Sequence, residues 1–156
     1  MGQGGKCLIQ YKQEFLCTCL EEFKPMLVKH WEEIAINKDT IKLNPDYDKY
    51  YALEDLGMLK VFTARDEGKP VGYILFLVDS NMHYQDTIWA KMDIFYVNPD
   101  HRNARVAVRL IKFAEDCLKQ DGVDVIMIGT KSHKPFDRLL EFLGYSEVEK
   151  YYGKKV

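Results

Sequence analysis

Residues 96–111 read YVNPDHRNARVAVRLI. A strand-like ending, Tyr96-Val97, runs into Asn98-Pro99, then a basic loop, then a helical pattern. Arg102 and Arg105 stand at the handover, and no acid follows them until Glu115. From residue 104 to 121, Ala107, Leu110, Ile111, Ala114, Cys117 and Leu118 fall on one helical face, with Arg109, Lys112, Glu115, Asp116 and Lys119 opposite. Gly122 suits the position just past the helix end. The first turn of such a helix presents unpaired amides and a partial positive charge. It is a natural seat for phosphate, and two guanidinium groups beside it suit a diphosphate. The competing reading is a loop whose arginines face water.

Working outward, TIWAKMDIFYV (87–97) reads as a long strand before this helix, and VDVIMIG (123–129) as a short, buried strand after it. Strand, helix and strand at this spacing form a parallel pair with a right-handed crossover. LKVFTARD (59–66) and VGYILFLV (71–78), joined by EGKP, read as a hairpin. Nearer the N-terminus, CLIQY (7–11) reads as a first strand, and the spacing from Glu14 to Ala35 predicts a helix that Pro25 should kink or divide. NPDYDKYYALEDLG (44–57) predicts a second helix, capped by Asn44 with Pro45 in its first turn. KPFDRLLEFLG (134–144) reads as the last helix, and YSEVEKYYGKKV (145–156) as one or two final strands. The order predicts a single α/β (α+β) domain over residues 1–156: a mixed, mostly antiparallel sheet with one parallel βαβ unit and helices on both faces.

Composition bounds the function. The 156 residues carry a formal charge of −2, which argues against a general nucleic-acid binder. No apolar run approaches the ~20 residues of a membrane span, and the N-terminus lacks a signal peptide's apolar core. A cytoplasmic protein is expected. The four cysteines, Cys7, Cys17, Cys19 and Cys117, show no CxxC and no zinc spacing, so they read as reduced thiols and no metal site is expected.

VNPDHRNARVAVRLIKFAED (97–116) resembles the acyl-CoA signature of the GNAT (Gcn5-related N-acetyltransferase) superfamily. Arg102 matches the leading Arg/Gln of that signature, Ala107 its last small residue, and Leu110-Ile111 its aliphatic pair. TARDEGKPVGYILF (63–76) resembles the family's central hairpin, and Gly144-Tyr145 the Gly-Phe/Tyr pair of its closing segment. Arg105 departs from the pattern: it stands where the family usually has the first loop glycine, a residue suited to positive φ.

The resemblance implies a GNAT-like fold and an enzyme, an N-acetyltransferase in which an amine attacks acetyl-CoA directly. It implies cofactor binding by Tyr96, Val97, Arg102, Asn103, Ala104, Arg105, Val106, Ala107 and Val108, with His133 beside the pantetheine arm. Asp93 falls where family members often carry the base. The amide near Val97 is the expected oxyanion donor. The family's usual acid, a Tyr, is replaced by Leu140, which leaves His133, Tyr145, Tyr151 or Tyr152 as candidate acids, with solvent as a further proton source. Tyr50, Tyr51, Glu54 and Asp55 on the second helix would line the pocket of a small-molecule or peptide amine. Alternatives are an unusual acyl donor or nucleobase acceptor on the same fold, or a degenerate GNAT-fold binding module. The tyrosines near the C-terminus offer a face for a homodimer.

Overall fold

The computed structural model describes residues 8–156. Its five strands form one sheet in the order β1-β2-β3-β4-β5: β1 (Gln10–Glu14), β2 (Leu59–Asp66), β3 (Lys69–Asn81), β4 (Tyr84–Val97) and β5 (Val125–Met127). The first four pair antiparallel, and β5 lies parallel to β4. Helices α1 (Leu16–Ile34) and α2 (Tyr47–Asp55) cover one face; α3 (Ala104–Gln120) and α4 (Asp137–Phe142) cover the other.

Two apolar clusters follow from the alternation of side chains along the strands. Val61, Tyr73, Leu75 and Tyr96 pack under Leu16, Leu20, Phe23 and Met26 of α1. Phe62, Ile74, Phe76, Ala90 and Val97 pack under Val106, Leu110, Ile111 and Leu118 of α3. The β2–β3 turn places Glu67 at φ 48° and Gly68 at φ 81°, the pair of left-handed residues that a two-residue hairpin requires.

One irregularity positions the site. Met92 pairs with Phe76 and Ile94 with Leu75, so Asp93 is an extra residue, a β-bulge. Before it, Ala90 and Met92 face α3. After it the count is shifted by one, so Phe95 and Val97 face α3 while Ile94 and Tyr96 face α1. β5 pairs only with Trp89–Lys91 and ends at Met127. Among the described residues, β4 therefore runs on from Met92 to Val97 without a strand paired on that edge.

Several expectations need correction. β1 starts at Gln10, later than the expected 7–11, because Gln10–Glu14 pair with Val61–Arg65; Cys7 lies outside the described residues. Pro25 does not divide α1. It lies on the solvent side, where water can serve the carbonyl left without a donor, while Phe23, Met26 and His30 anchor both halves to the sheet. Asp46, not Asn44, caps α2: its carboxylate accepts from the Lys49 amide at 3.0 Å. Residues 146–156 form no strand.

A cluster at the β1 edge of the sheet is structural. Arg65 is buried and donates to both oxygens of Glu14, to both of Glu22 and to the Gly68 carbonyl. Every direction of its planar fork meets an acceptor, which makes burial of this charge tolerable.

Candidate active site

Where β4 continues past the end of β5, a cavity of about 540 Å³ opens. Its walls are β4 from Met92 to Val97, the end of α1, the start of α3 and the segment 129–136. Bulge, early end of β5 and α3 start thus converge on one opening.

Asp93 lines this cavity, and the Tyr50 hydroxyl of α2 donates to its carboxylate at 2.5 Å. Burial, then the bond to Asp93, push the Tyr50 phenol well above its ordinary value, so the proton stays on the phenol. Asn98 donates its amide to the Val71 carbonyl at 2.7 Å. By antiparallel alternation Tyr96 also turns its backbone groups toward β3, and those of Phe95 and Val97 point to the open edge. The Val97 carbonyl on that edge accepts from Arg102 Nε at 2.7 Å.

Arg102 is engaged more fully than the sequence suggests. Its two terminal nitrogens donate to the two carboxylate oxygens of Glu33 at 2.7 and 2.5 Å, and its guanidinium lies 5.2 Å from the Tyr96 ring centre. The hydrogen bond from Arg102 is the main cause that holds the Glu33 carboxyl below its usual range. On the other wall, His133 Nε2 donates to the Ile34 carbonyl at 3.0 Å. The last turn of α1 therefore touches both sides of the opening.

At the start of α3, Asn103 is the N-cap, its side chain accepting from the Val106 amide at 3.0 Å. Asn103, Arg102 and Ala107 line the cavity; Arg105 and Val108 belong to the same two turns but do not line it. No non-glycine residue here has positive φ, so Arg105 occupies the usual glycine position without backbone strain. Its side chain is exposed, and none of the ion pairs among the described residues includes it.

Other expected site residues lie elsewhere. The Tyr145 hydroxyl donates to Glu115 at 2.7 Å, and the ring sits in a separate groove with Val123, Ile126 and Leu143 on the α3 side of the sheet. Glu54 caps α1, accepting from the amides of Leu16 and Cys17. Tyr51 packs against the cluster under α1, and neither it nor Asp55 lines the cavity. Conversely, His30, Glu33 and Ile34 line it and were not anticipated. The available signal was a histidine among the apolar positions of α1, seven residues after Phe23.

This sheet, with its bulge and free strand edge beside a helix N-terminus, has the architecture of the acyl-CoA-dependent N-acetyltransferases. Residues 24–145 match the model of the Acetyltransferase (GNAT) family, and the chain belongs to that family. No curated protein sequence matches the chain. Among solved structures it is similar to a ribosomal-protein-alanine N-acetyltransferase from Brucella melitensis biovar Abortus 2308 (20% identity, 96% of this chain and 99% of that one, TM-score 0.71). It is also similar to an aminoglycoside acetyltransferase from an uncultured soil metagenomic sample (18%, 96% and 99%, TM-score 0.73). A third is a predicted acetyltransferase with acetyl-CoA from Clostridium acetobutylicum (11%, 95% and 96%, TM-score 0.65).

Proposed function

We propose that this chain transfers an acetyl group from acetyl-CoA to a primary amine, without an acyl-enzyme. The observation that carries the reading is the opening beside the Asp93 bulge, where a carboxylate, a free strand edge and a helix N-terminus meet. Acetyl-CoA, when bound, supplies a thioester as electrophile. The residues present fit it: main-chain amides at the start of α3 and the exposed Arg105 side chain would hold the diphosphate, with Asn103 and Ala107 beside them. Arg102, tied to Glu33 and to the Val97 carbonyl, shapes the loop.

Asp93 takes the ammonium proton, directly or through one water, and the Tyr50 hydroxyl fixes the carboxylate while it does so. The Val97 amide, on the free edge, faces the place where oxygen gains charge. His133 already donates to Ile34, and Tyr145 lies outside the cavity, so solvent is the source of the thiolate's proton. Asp93 attracts a cationic acceptor. The names of the similar structures support amines as different as a ribosomal-protein alanine and an aminoglycoside, and both belong in a test panel.

Calorimetry with acetyl-CoA, followed by thiol release against an amine panel, tests the reading. Binding with amine-dependent release is expected. Asp93→Asn should lower kcat about 100-fold or more while binding of acetyl-CoA persists. Failure of the wild-type protein to bind acetyl-CoA would remove the proposal.

A further inference from the structure

His30 is a buried histidine in the last turns of α1, and it lines the cavity. Its ring stacks on Tyr96, centres 5.0 Å apart, and its Nδ1 lies 3.0 Å from the Tyr73 hydroxyl. Tyr73 is fully buried, and among the described residues His30 is the only hydrogen-bond partner of its hydroxyl. A buried phenol must donate or lose a hydrogen bond. Tyr73 therefore donates and Nδ1 accepts. A neutral imidazole that accepts at Nδ1 carries its proton at Nε2.

The ring is neutral on independent grounds. Burial is the leading cause that pushes its pKa down to about 4; Glu33 opposes this, while Arg102 and Lys131 add to it. Those are the charged groups around the ring from α1, from the loop before α3 and from the segment after β5. Nε2 has no hydrogen-bond partner among the described residues, and the ring that carries it lines the cavity.

We propose that His30 Nε2–H is a hydrogen-bond donor to the thioester carbonyl oxygen, acting beside the Val97 amide as that oxygen gains negative charge. The role rests on the acetyl-transfer reading. An ammonium brings only donors and gains nothing from an N–H. The carbonyl oxygen is the group whose acceptor strength rises during attack. Tyr96, against which the ring stacks, directly precedes Val97 in β4, so both donors serve the same stretch of the cavity. Tyr73 is a positioning residue: it never meets substrate, and it fixes which nitrogen bears the proton.

Nitrogen-proton correlation NMR on the protein without cofactor reads the ring directly. The expected result is a proton on Nε2, none on Nδ1, and no titration between about pH 5 and 8. Tyr73→Phe should mix the tautomers. In turnover, His30→Phe should lower kcat about 100-fold with the KM for acetyl-CoA within about twofold, and His30→Gln, which keeps an N–H donor, should recover about tenfold of that loss. A melting curve identifies a variant that fails to fold, and the NMR arm needs no variant. A ring protonated at Nδ1, one that titrates near pH 6.5, or wild-type kcat in folded His30→Phe would overturn the role. Absence of turnover by the wild-type protein would instead overturn the acetyl-transfer reading, and this role with it.

Discussion

Glu33→Gln separates two ways of holding a diphosphate. Glu33 receives both terminal nitrogens of Arg102, but its side chain is 26% exposed and that of Arg102 38% exposed. Water competes at both ends, so the pair is worth no more than the upper range for surface pairs, about 1 kcal/mol. Gln keeps one acceptor, and the variant should lose about 0.5–1 kcal/mol, or about 1–4 °C in Tm. Because the folded pKa of Glu33 is depressed, this contribution is full above the unfolded value of about 4.3 and disappears as pH falls through the lower folded value. Wild type and variant should therefore converge in acid. Arg102 keeps its bond to the Val97 carbonyl and its place over Tyr96, so the guanidinium stays put. If amides and Arg105 hold the diphosphate, the Kd for acetyl-CoA in calorimetry should change less than about twofold, whereas Arg105→Ala should weaken it about tenfold. Tightening of tenfold or more in Glu33→Gln would show that Glu33 had been competing with phosphate for Arg102, and would refute the argument.

Other perturbations test the frame. A Cβ on Gly72 would lie 3.1 Å from the Tyr96 carbonyl oxygen and 3.2 Å from Val97 Cγ2, so Gly72→Ala should cost about 1–3 kcal/mol in urea unfolding and displace the free edge of β4. Arg65→Met leaves Glu14 and Glu22 facing each other without a cation, and a loss of about 3–5 kcal/mol is expected; a loss below 1 kcal/mol would contradict the cluster's role. Glu54→Gln weakens the α1 cap and should cost about 1 kcal/mol while the acceptor KM stays unchanged. Tyr145→Phe should lower stability by a similar amount, with kcat unaltered.

The fold was readable wherever local pattern and packing agree. The stripe of α3, the turn residues of EGKP and the β-branched and aromatic content of β2 and β3 are local signals that the sequence displays. The site was less readable because its geometry depends on pairing. Asp93 could be placed on β4 by resemblance, but its status as an extra residue requires the register against Leu75 and Phe76. Arg102 looked free because its counter-charge, Glu33, lies sixty-nine positions away on another helix. His30 looked like one more member of an apolar stripe, and only Tyr73 and the cavity wall give it chemistry. Glu54 was assigned to the pocket for its charge, whereas the helix terminus above it had the stronger claim on a carboxylate.

The bulge at Asp93 has a consequence for descent and design alike. What fixes the inner surface of β4 is a number, one residue more than its neighbour, rather than any side chain in the strand. Deleting a single position between Met92 and Tyr96 would absorb the bulge: plain alternation would keep Tyr96 toward α1 and Val97 toward α3, but the irregularity that presents Asp93 to the cavity would be gone, whereas inserting one more residue without a second bulge would exchange the two faces. Substitutions along this strand can accumulate one at a time, but its length cannot drift.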